Sequence, residues 1–106
     1  MTIHIQAKKH LQQLQFALQT LDLWQVTPPD EKAFMSTQPF AIDTMTANEW
    51  LQWIFIPRMY ALIENQTELP SQISISPYVE EALKETENLS LLLSPLIEME
   101  QLLQNQ

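Results

Sequence analysis

One segment in the middle of the chain, residues 38–60, constrains the fold more than any other. It contains two of the three Trp residues, Trp50 and Trp53, together with Pro57 and the only arginine of the chain, Arg58. Apolar side chains occupy nearly every side of the helix predicted here, which is typical of a helix that other elements surround. We therefore expect a central helix against which the rest of the chain packs.

The sequence also marks both ends of this central helix. Thr46 and Glu49 have the spacing of a capping box, in which each side chain accepts a hydrogen bond from the main-chain amide of the other residue. At the other end, Asn65 is predicted to take the left-handed conformation, because the chain contains no glycine. Pro57 has no amide proton, leaves the Trp53 carbonyl without its helical partner and costs about 3 kcal/mol inside a helix, so we expect it to kink the helix.

Other segments show helical periodicity or helix-start signals. Apolar residues at steps of three and four predict a first helix from Thr2, as N-cap, to about Trp24, with one buried face. The residues of that face are Ala7, Leu11, Leu14, Leu18 and Leu21. Prolines in the first turn predict a short helix ending near Met35 and another helix from Ser76, as N-cap, to about Thr86.

The last helix is predicted from about Asn88 to about Leu103, with Pro95 in its middle. One apolar stripe along it consists of Leu92, Leu96, Met99 and Leu103. Pro95 could either kink this helix or start a new one, and the sequence leaves that choice open. Between the central helix and Ser76 the chain reads as a loop that apolar residues hold against the bundle. These segments together predict an all-α fold, a single domain over residues 1–106 built as a bundle of four to five helices around the central apolar helix.

The composition excludes several classes of function. Without glycine, the chain cannot build phosphate-binding loops, dinucleotide-binding turns or a nucleophile elbow. The absence of cysteine and of a signal-peptide pattern favours a cytoplasmic protein, and no apolar run approaches the ~20 residues that cross a bilayer. His4 and His10 are six residues apart and so do not share a helix face. We predict no metal, no cofactor and no catalytic residue.

The net charge of −8 comes mostly from the C-terminal part of the chain. Eight of the 13 acidic residues lie from Glu64 onward, where Lys84 is the single base. Direct binding of nucleic acid or of an anionic membrane is disfavoured, because both require clustered lysine and arginine. A basic protein is the expected partner, although a solvated acidic face is the plainer explanation of the charge. Glu98 and Glu100 are expected to be solvated.

Arg58 is the residue on which the functional hypotheses depend. It lies on the apolar side of the central helix, and Asp43 lies just ahead of that helix. We expect the loop to fold back so that the two form a buried ion pair, whose loss in Arg58→Ala costs about 3–5 kcal/mol. The alternative is a guanidinium group left free in a cleft for a carboxylate or phosphate.

The residues around this pair form the candidate structural or binding cluster, namely Phe40, Asp43, Thr44, Trp50, Gln52, Trp53, Pro57 and Arg58. In the cleft alternative, Arg58, Asp43 and Gln52 surround a small-molecule pocket whose walls are Trp50, Trp53 and Phe40. A third alternative is direct RNA binding through Arg58 and tryptophan, with Lys8, Lys9 and Lys32, which the acidity of the chain disfavours.

Several short strings in the middle of the chain resemble the YqcC-like family of small proteobacterial proteins. They are Ser36–Phe40, Asp43–Met45, Trp50–Trp53, Ile56–Met59 and Leu69–Pro70. The resemblance extends over about residues 1–103 and implies a helical domain whose gene, in several bacteria, neighbours that of a tRNA pseudouridine synthase. It implies no catalytic residue.

These observations lead to the hypothesis of a non-enzymatic accessory or interaction protein. Its expected partner is a basic protein such as a tRNA-modifying enzyme, and the complex should weaken as salt is added. The alternative is a small-molecule or anion-binding module that uses a cleft beside Arg58.

Overall fold

The structure, a computed structural model, describes the main chain of residues 2–106 and the side chains of residues 3–106. Within that part of the chain all regular structure is helical, which confirms the predicted all-α bundle. The longer helices are α1 (Thr2–Thr20), a central helix α2, α3 (Ser76–Ala82) and α4 (Ser90–Gln104), and short 3-10 helices lie at Glu31–Met35 and Pro39–Ala41. Helix α2 consists of three contiguous parts, Ala47–Trp50, Leu51–Phe55 and Ile56–Glu64.

The core is formed mainly where α1 packs against α4 and where α2 and α3 cover them. The predicted apolar stripes are confirmed, since the leucines of α1 and α4 that point to one face are fully buried. These are Leu11, Leu14 and Leu18 in α1 and Leu92, Leu96 and Leu103 in α4. Burying each such side chain contributes about 1.5–3 kcal/mol, so these stripes supply much of the driving force for folding. The predicted capping role of Thr2 falls on a side chain outside the described ones.

Helix α1 ends at Thr20, whereas the sequence predicts an end near Trp24. The reason is Asp22, which takes a positive φ of 61° and reverses the chain direction. The amide of Leu23 then donates to the carbonyl of Leu18 at 2.8 Å, the long hydrogen bond of a Schellman motif. Aspartate tolerates this conformation better than most residues, so the helix stops here without glycine.

Helix α2 ends in the same way, one residue later than predicted. Asn65 keeps a negative φ of −87°, and it is Gln66 that takes the positive φ, 51°. The amide of Thr67 donates to the carbonyl of Leu62 at 3.0 Å, which again completes a Schellman motif.

The kink predicted at Pro57 takes the form of a π-helical turn inside a continuous helix. Over Leu51–Phe55 the helix is widened, and the amide of Ile56 donates to the carbonyl of Leu51, five residues back. Pro57 follows this turn directly, so its missing amide falls where the hydrogen-bond ladder is already irregular. The α-helix then continues to Glu64.

Two helices follow the loop after α2, as the sequence predicts, but their ends differ from the predicted ones. Helix α3 ends at Ala82 instead of near Thr86. Asn88 takes a positive φ of 60° just before α4 begins at Ser90. Helix α4 runs without interruption through the buried Pro95, which answers the question that the sequence leaves open.

Glu100 is buried, contrary to the prediction that it is solvated. Only 8% of it is exposed, and its carboxylate accepts hydrogen bonds from the amides of Ile75 and Ser76 at 2.5 and 2.8 Å. It also accepts one from the Ser76 hydroxyl at 2.6 Å. Free amides and a partial positive charge make a helix N-terminus a good site for a carboxylate. Glu100 therefore caps α3 from a neighbouring helix, and Ser76 does not act as the predicted N-cap.

Candidate functional site

Arg58 and Asp43 do not form the predicted ion pair. Both side chains are exposed, and the one ion pair found among the described residues joins Lys84 to Glu81. Asp43 instead accepts a hydrogen bond from the Ser36 hydroxyl at 2.5 Å. A partner only seven residues away in the same loop satisfies this carboxylate at a smaller cost in chain entropy than folding the loop over α2.

Arg58 lies in an open groove of about 680 Å³, which we call the Arg58 groove. One side is lined by apolar residues of α2, including Trp50, Phe55 and Met59, together with Phe40. The other side is lined by residues from the segment 68–75, including Glu68. The structure therefore agrees with the alternative arrangement, a guanidinium group left free in a cleft, and not with the buried ion pair.

An aromatic cluster borders this groove. The Phe40 ring packs edge-on against Trp50, with centroids 5.1 Å apart, and stacks on Tyr78 at 4.3 Å. Trp50 also stacks on Phe55 at 5.5 Å, and burial raises the pKa of the Tyr78 hydroxyl. Phe40 and Ala41 both have positive φ, 59° and 48°, a conformation that costs about 1–2 kcal/mol for a residue with a β-carbon. The aromatic contacts offset this cost and hold the Phe40 ring at the groove.

The segment Ser71–Ser74 has a main chain without internal partners. Within the described part of the chain, its amides and carbonyls form no hydrogen bond. Exposure alternates along it, with Gln72 and Ser74 exposed, Ile73 half-buried and Ile75 buried, as in an extended strand with one covered face. The same segment borders a second open groove of about 770 Å³ that Gln104 and Gln106 also line.

Gln52 and Trp53 belong to the predicted cluster but attach a different segment. The buried Gln52 side chain accepts from the amide of Gln25 at 2.8 Å and donates to the carbonyl of the same residue at 2.7 Å. The Trp53 indole donates to the Gln25 side chain at 3.2 Å, and Asn48 donates to the Leu23 carbonyl at 3.0 Å. The polar strip of α2 thus binds the chain that follows α1.

The remaining cluster residues also have local structural roles. Thr44 donates to the carbonyl of Ala33 at 2.8 Å, and the exposed Pro57 follows the π turn. The capping box is confirmed, because Thr46 and Glu49 each accept from the main-chain amide of the other. The bond from the Thr46 amide is the main reason that the pKa of Glu49 lies below its usual value of 4.5.

Sequence reasoning brought only Phe40, Trp50 and Arg58 to the groove. It missed Tyr78, whose position directly after the helix-starting Ser76-Pro77 pair carries no signal of stacking. It also missed the unpaired main chain of Ser71–Ser74, although the alternation of Ile73 and Ile75 with serines was a usable signal. The functional role of the predicted cluster stays a prediction.

The described residues hold no group of three or more metal-binding side chains. His4 donates from Nε2 to the Thr67 carbonyl at 2.8 Å, so this residue ties α1 to the end of α2. No helix in residues 2–106 is both long enough and apolar enough to cross a membrane.

The fold and the groove define a small all-helical domain, and comparison with known proteins shows its family. Residues 6–102 match a family profile described as tRNA pseudouridine synthase C. The solution NMR structure of YqcC from Escherichia coli superposes with a TM-score of 0.84 at 38% identity, covering 97% of this chain and 89% of that one. An uncharacterised protein of Haemophilus influenzae is 57% identical over 100 residues, 94% of each chain. The chain therefore belongs to the YqcC-like family of small proteobacterial proteins.

One further relative differs in length. A protein of Pectobacterium carotovorum named tRNA pseudouridine synthase C is 49% identical over 65 residues. The match covers 61% of this chain but only 17% of that relative, so most of the relative lies outside the matched segment.

Proposed function

We propose that this protein is a non-enzymatic interaction domain that acts together with a tRNA pseudouridine synthase. The observation that carries the proposal is the match to the Pectobacterium relative of that name. There a segment similar to this chain occupies 17% of a longer protein, so the two parts are held together covalently. A domain that is fused to an enzyme in one protein is a good candidate for a bound partner of the enzyme in another.

The charge of the chain supports such a partner. The stretch 80–87 holds four exposed glutamates, Glu80, Glu81, Glu85 and Glu87, and Lys84 pairs with only one of them. An enzyme that binds tRNA needs a basic surface, because phosphates dominate the affinity for nucleic acid. Opposite net charges speed association and make the affinity depend on salt.

Purified protein and the pseudouridine synthase of the same bacterium provide the direct test. We expect a complex in isothermal titration calorimetry at about 50 mM NaCl that weakens at about 300 mM, where the Debye length is shorter. The joint substitution Glu80→Gln, Glu85→Gln and Glu87→Gln should weaken it further, and Glu64→Gln, an exposed residue outside that stretch, serves as control. Absence of binding at low salt would contradict the proposal, and tight binding of tRNA by this protein alone would favour direct RNA recognition.

A second candidate function is an anion-binding module. It is favoured by one observation: the exposed Arg58 side chain lines a mostly apolar groove of about 680 Å³, and the described residues provide no carboxylate paired with it. A planar guanidinium group suits carboxylates and phosphates. Titration with inorganic phosphate and with citrate, followed by NMR, tests this candidate. Saturable shifts around Arg58 that disappear in Arg58→Gln and persist in Lys32→Gln are expected, and linear shifts in both variants would contradict it.

A further inference from the structure

The Arg58 groove combines three features that one ligand can use together. Among the described residues, Arg58 has no paired acid and so supplies a cation. Phe40 and α2 supply apolar and aromatic surface, and Ser71, Ile73 and Ser74 supply main-chain groups that have no partner in this part of the chain. We propose that this groove binds an extended segment of a partner protein, which pairs with the main chain of Gln72–Ser74 and carries an apolar and an acidic side chain two residues apart. The inference rests on the proposed role as an interaction domain and names the chemistry of one partner segment.

The main chain of the segment is presented in an ordered form. On one side, the carbonyls of Leu69 and Pro70 accept hydrogen bonds from the Gln106 side chain at 3.1 and 3.0 Å. On the other side, the amides of Ile75 and Ser76 are bound by Glu100. The unpaired stretch is therefore anchored at both ends and borders two grooves, which leaves room for an added strand. Strand addition of this kind takes its affinity from main-chain hydrogen bonds.

The groove also has a place for an apolar side chain. Trp50, Phe55 and Met59 line it and are each less than a tenth exposed, and the half-buried Phe40 and Ile73 extend this surface. Phe40 keeps its position through two aromatic contacts despite its positive φ. A preformed apolar surface binds a side chain without first having to be ordered.

Arg58 determines the charge of the partner segment. A carboxylate matches the guanidinium group in charge and in planar geometry. Glu68 lines the same groove and forms no ion pair with Arg58. An acidic side chain of the partner segment is therefore attracted near Arg58 and repelled near Glu68. Side chains at i and i+2 of a strand point to the same face, so the apolar and acidic residues should be two apart.

The test is a selection on the full chain with a bead library of heptapeptides that are acetylated and amidated at their ends. We expect selected peptides to contain Asp or Glu two residues from a large apolar residue. The best peptide, resynthesised, should shift the amide signals of Gln72, Ile73 and Ser74 in NMR spectra. It should protect alternate amides from exchange, because one edge of a strand presents the amide of every second residue. Arg58→Gln should weaken its binding about tenfold, the loss expected for one charge-assisted hydrogen bond. Lys32→Gln removes an exposed charge elsewhere and should change binding less than twofold.

Several results would overturn the inference: no peptide retained, bound peptides that leave the amides of Gln72–Ser74 unchanged, or equal affinity for Arg58→Gln. Shifts at Arg58 alone, produced equally by phosphate, would show an anion site without strand pairing. Thermal melting of each variant shows that it is folded. Failure of this inference and failure of the proposed function give different results. If the synthase binds wild type and Arg58→Gln equally well, the groove is not its binding site, but the proposed function stands. If peptides bind the groove and the synthase does not bind the protein, the proposed function fails, but the groove remains a peptide site.

Discussion

Two irregular segments of this protein, residues 23–25 and 71–74, differ in whether other residues satisfy the hydrogen bonds of their main chain. In the first, Asn48 binds the carbonyl of Leu23, and Gln52 binds both the amide and the carbonyl of Gln25. In the second, the described residues provide no partner for any amide or carbonyl of Ser71–Ser74. Both segments lie beside α2, so the difference comes from which side of that helix each one meets.

The side of α2 that faces residues 23–25 carries amide side chains, which can replace water for a main chain that leaves solvent. The side that faces the segment 68–75 carries Trp50, Phe55 and Met59, whose side chains form no hydrogen bond with that main chain. The second segment is therefore held by apolar anchors such as Leu69 and Ile75, each 5% exposed or less, and its main chain keeps no internal partner. We call residues 71–74 the open segment and residues 23–25 the closed segment. The comparison teaches that main-chain groups are satisfied internally where amide side chains face them, and keep no internal partner where the facing side chains are mostly apolar.

The largest effect is expected where the open segment ends. Glu100→Ala leaves three donors of Ile75 and Ser76 without an acceptor, and we expect it to lower the free energy of unfolding by about 3–5 kcal/mol. Urea denaturation followed by circular dichroism measures this loss, and the exposed Glu98→Ala is the matched control. A loss below about 1 kcal/mol would mean that Glu100 does not anchor the segment.

Gln52 tests the closed segment. Gln52→Ala should lower the free energy of unfolding by about 2–3 kcal/mol, because both main-chain groups of Gln25 lose their partner. Gln52→Leu restores most of the volume but neither hydrogen bond, so it should be nearly as destabilising. If Gln52→Leu is as stable as wild type in urea, packing alone holds residues 23–25 and the contrast between the segments fails.

Gln66 tests the turn that leads from α2 into the open segment. Because its φ is 51°, Gln66→Gly should raise the free energy of unfolding by about 0.5–1 kcal/mol, whereas Gln66→Ala should not. The comparison of these two variants in urea separates backbone strain from loss of the side chain. Equal stability of both variants would argue against the left-handed conformation.

Glu49, on α2, makes the stability of the protein depend on pH. Its pKa lies below 4.5 in the folded protein, mainly because the carboxylate accepts from the Thr46 amide. A carboxyl group with a lowered folded pKa contributes stability above its unfolded pKa, and that contribution disappears as the pH falls through the folded pKa. Wild type should therefore lose more stability than Glu49→Gln as the pH is lowered below about 4.5, measured by thermal melting. Parallel curves would contradict this.

The smallest effect is expected at Arg58. Because this side chain is exposed and unpaired among the described residues, Arg58→Gln should change the free energy of unfolding by less than about 0.5 kcal/mol. A loss of about 3 kcal/mol or more in urea denaturation would instead support the ion pair that the sequence suggests, and would show that Arg58 has a partner inside the protein.

The parts of the structure that depend on local pattern could be predicted. The spacing of Leu11, Leu14 and Leu18 identified the buried face of α1, and Thr46 with Glu49 identified the start of α2. Predictions that required the choice of a distant partner were wrong. Asp43 was assigned to Arg58 but binds Ser36, and Glu100 was assigned to solvent but binds Ile75 and Ser76. A charged side chain has many candidate partners in sequence, and only the packing of the helices decides which one comes within about 3 Å.

The sequence by itself determined that the chain forms helices and which faces of α1 and α4 are buried, because periodicity and capping depend on residues a few positions apart. It also excluded glycine-dependent sites, because the composition contains no glycine. The tertiary structure decided which polar groups are satisfied internally and which face the Arg58 groove. That outcome depends on which side of α2 each loop meets, and therefore on contacts between residues far apart in the chain.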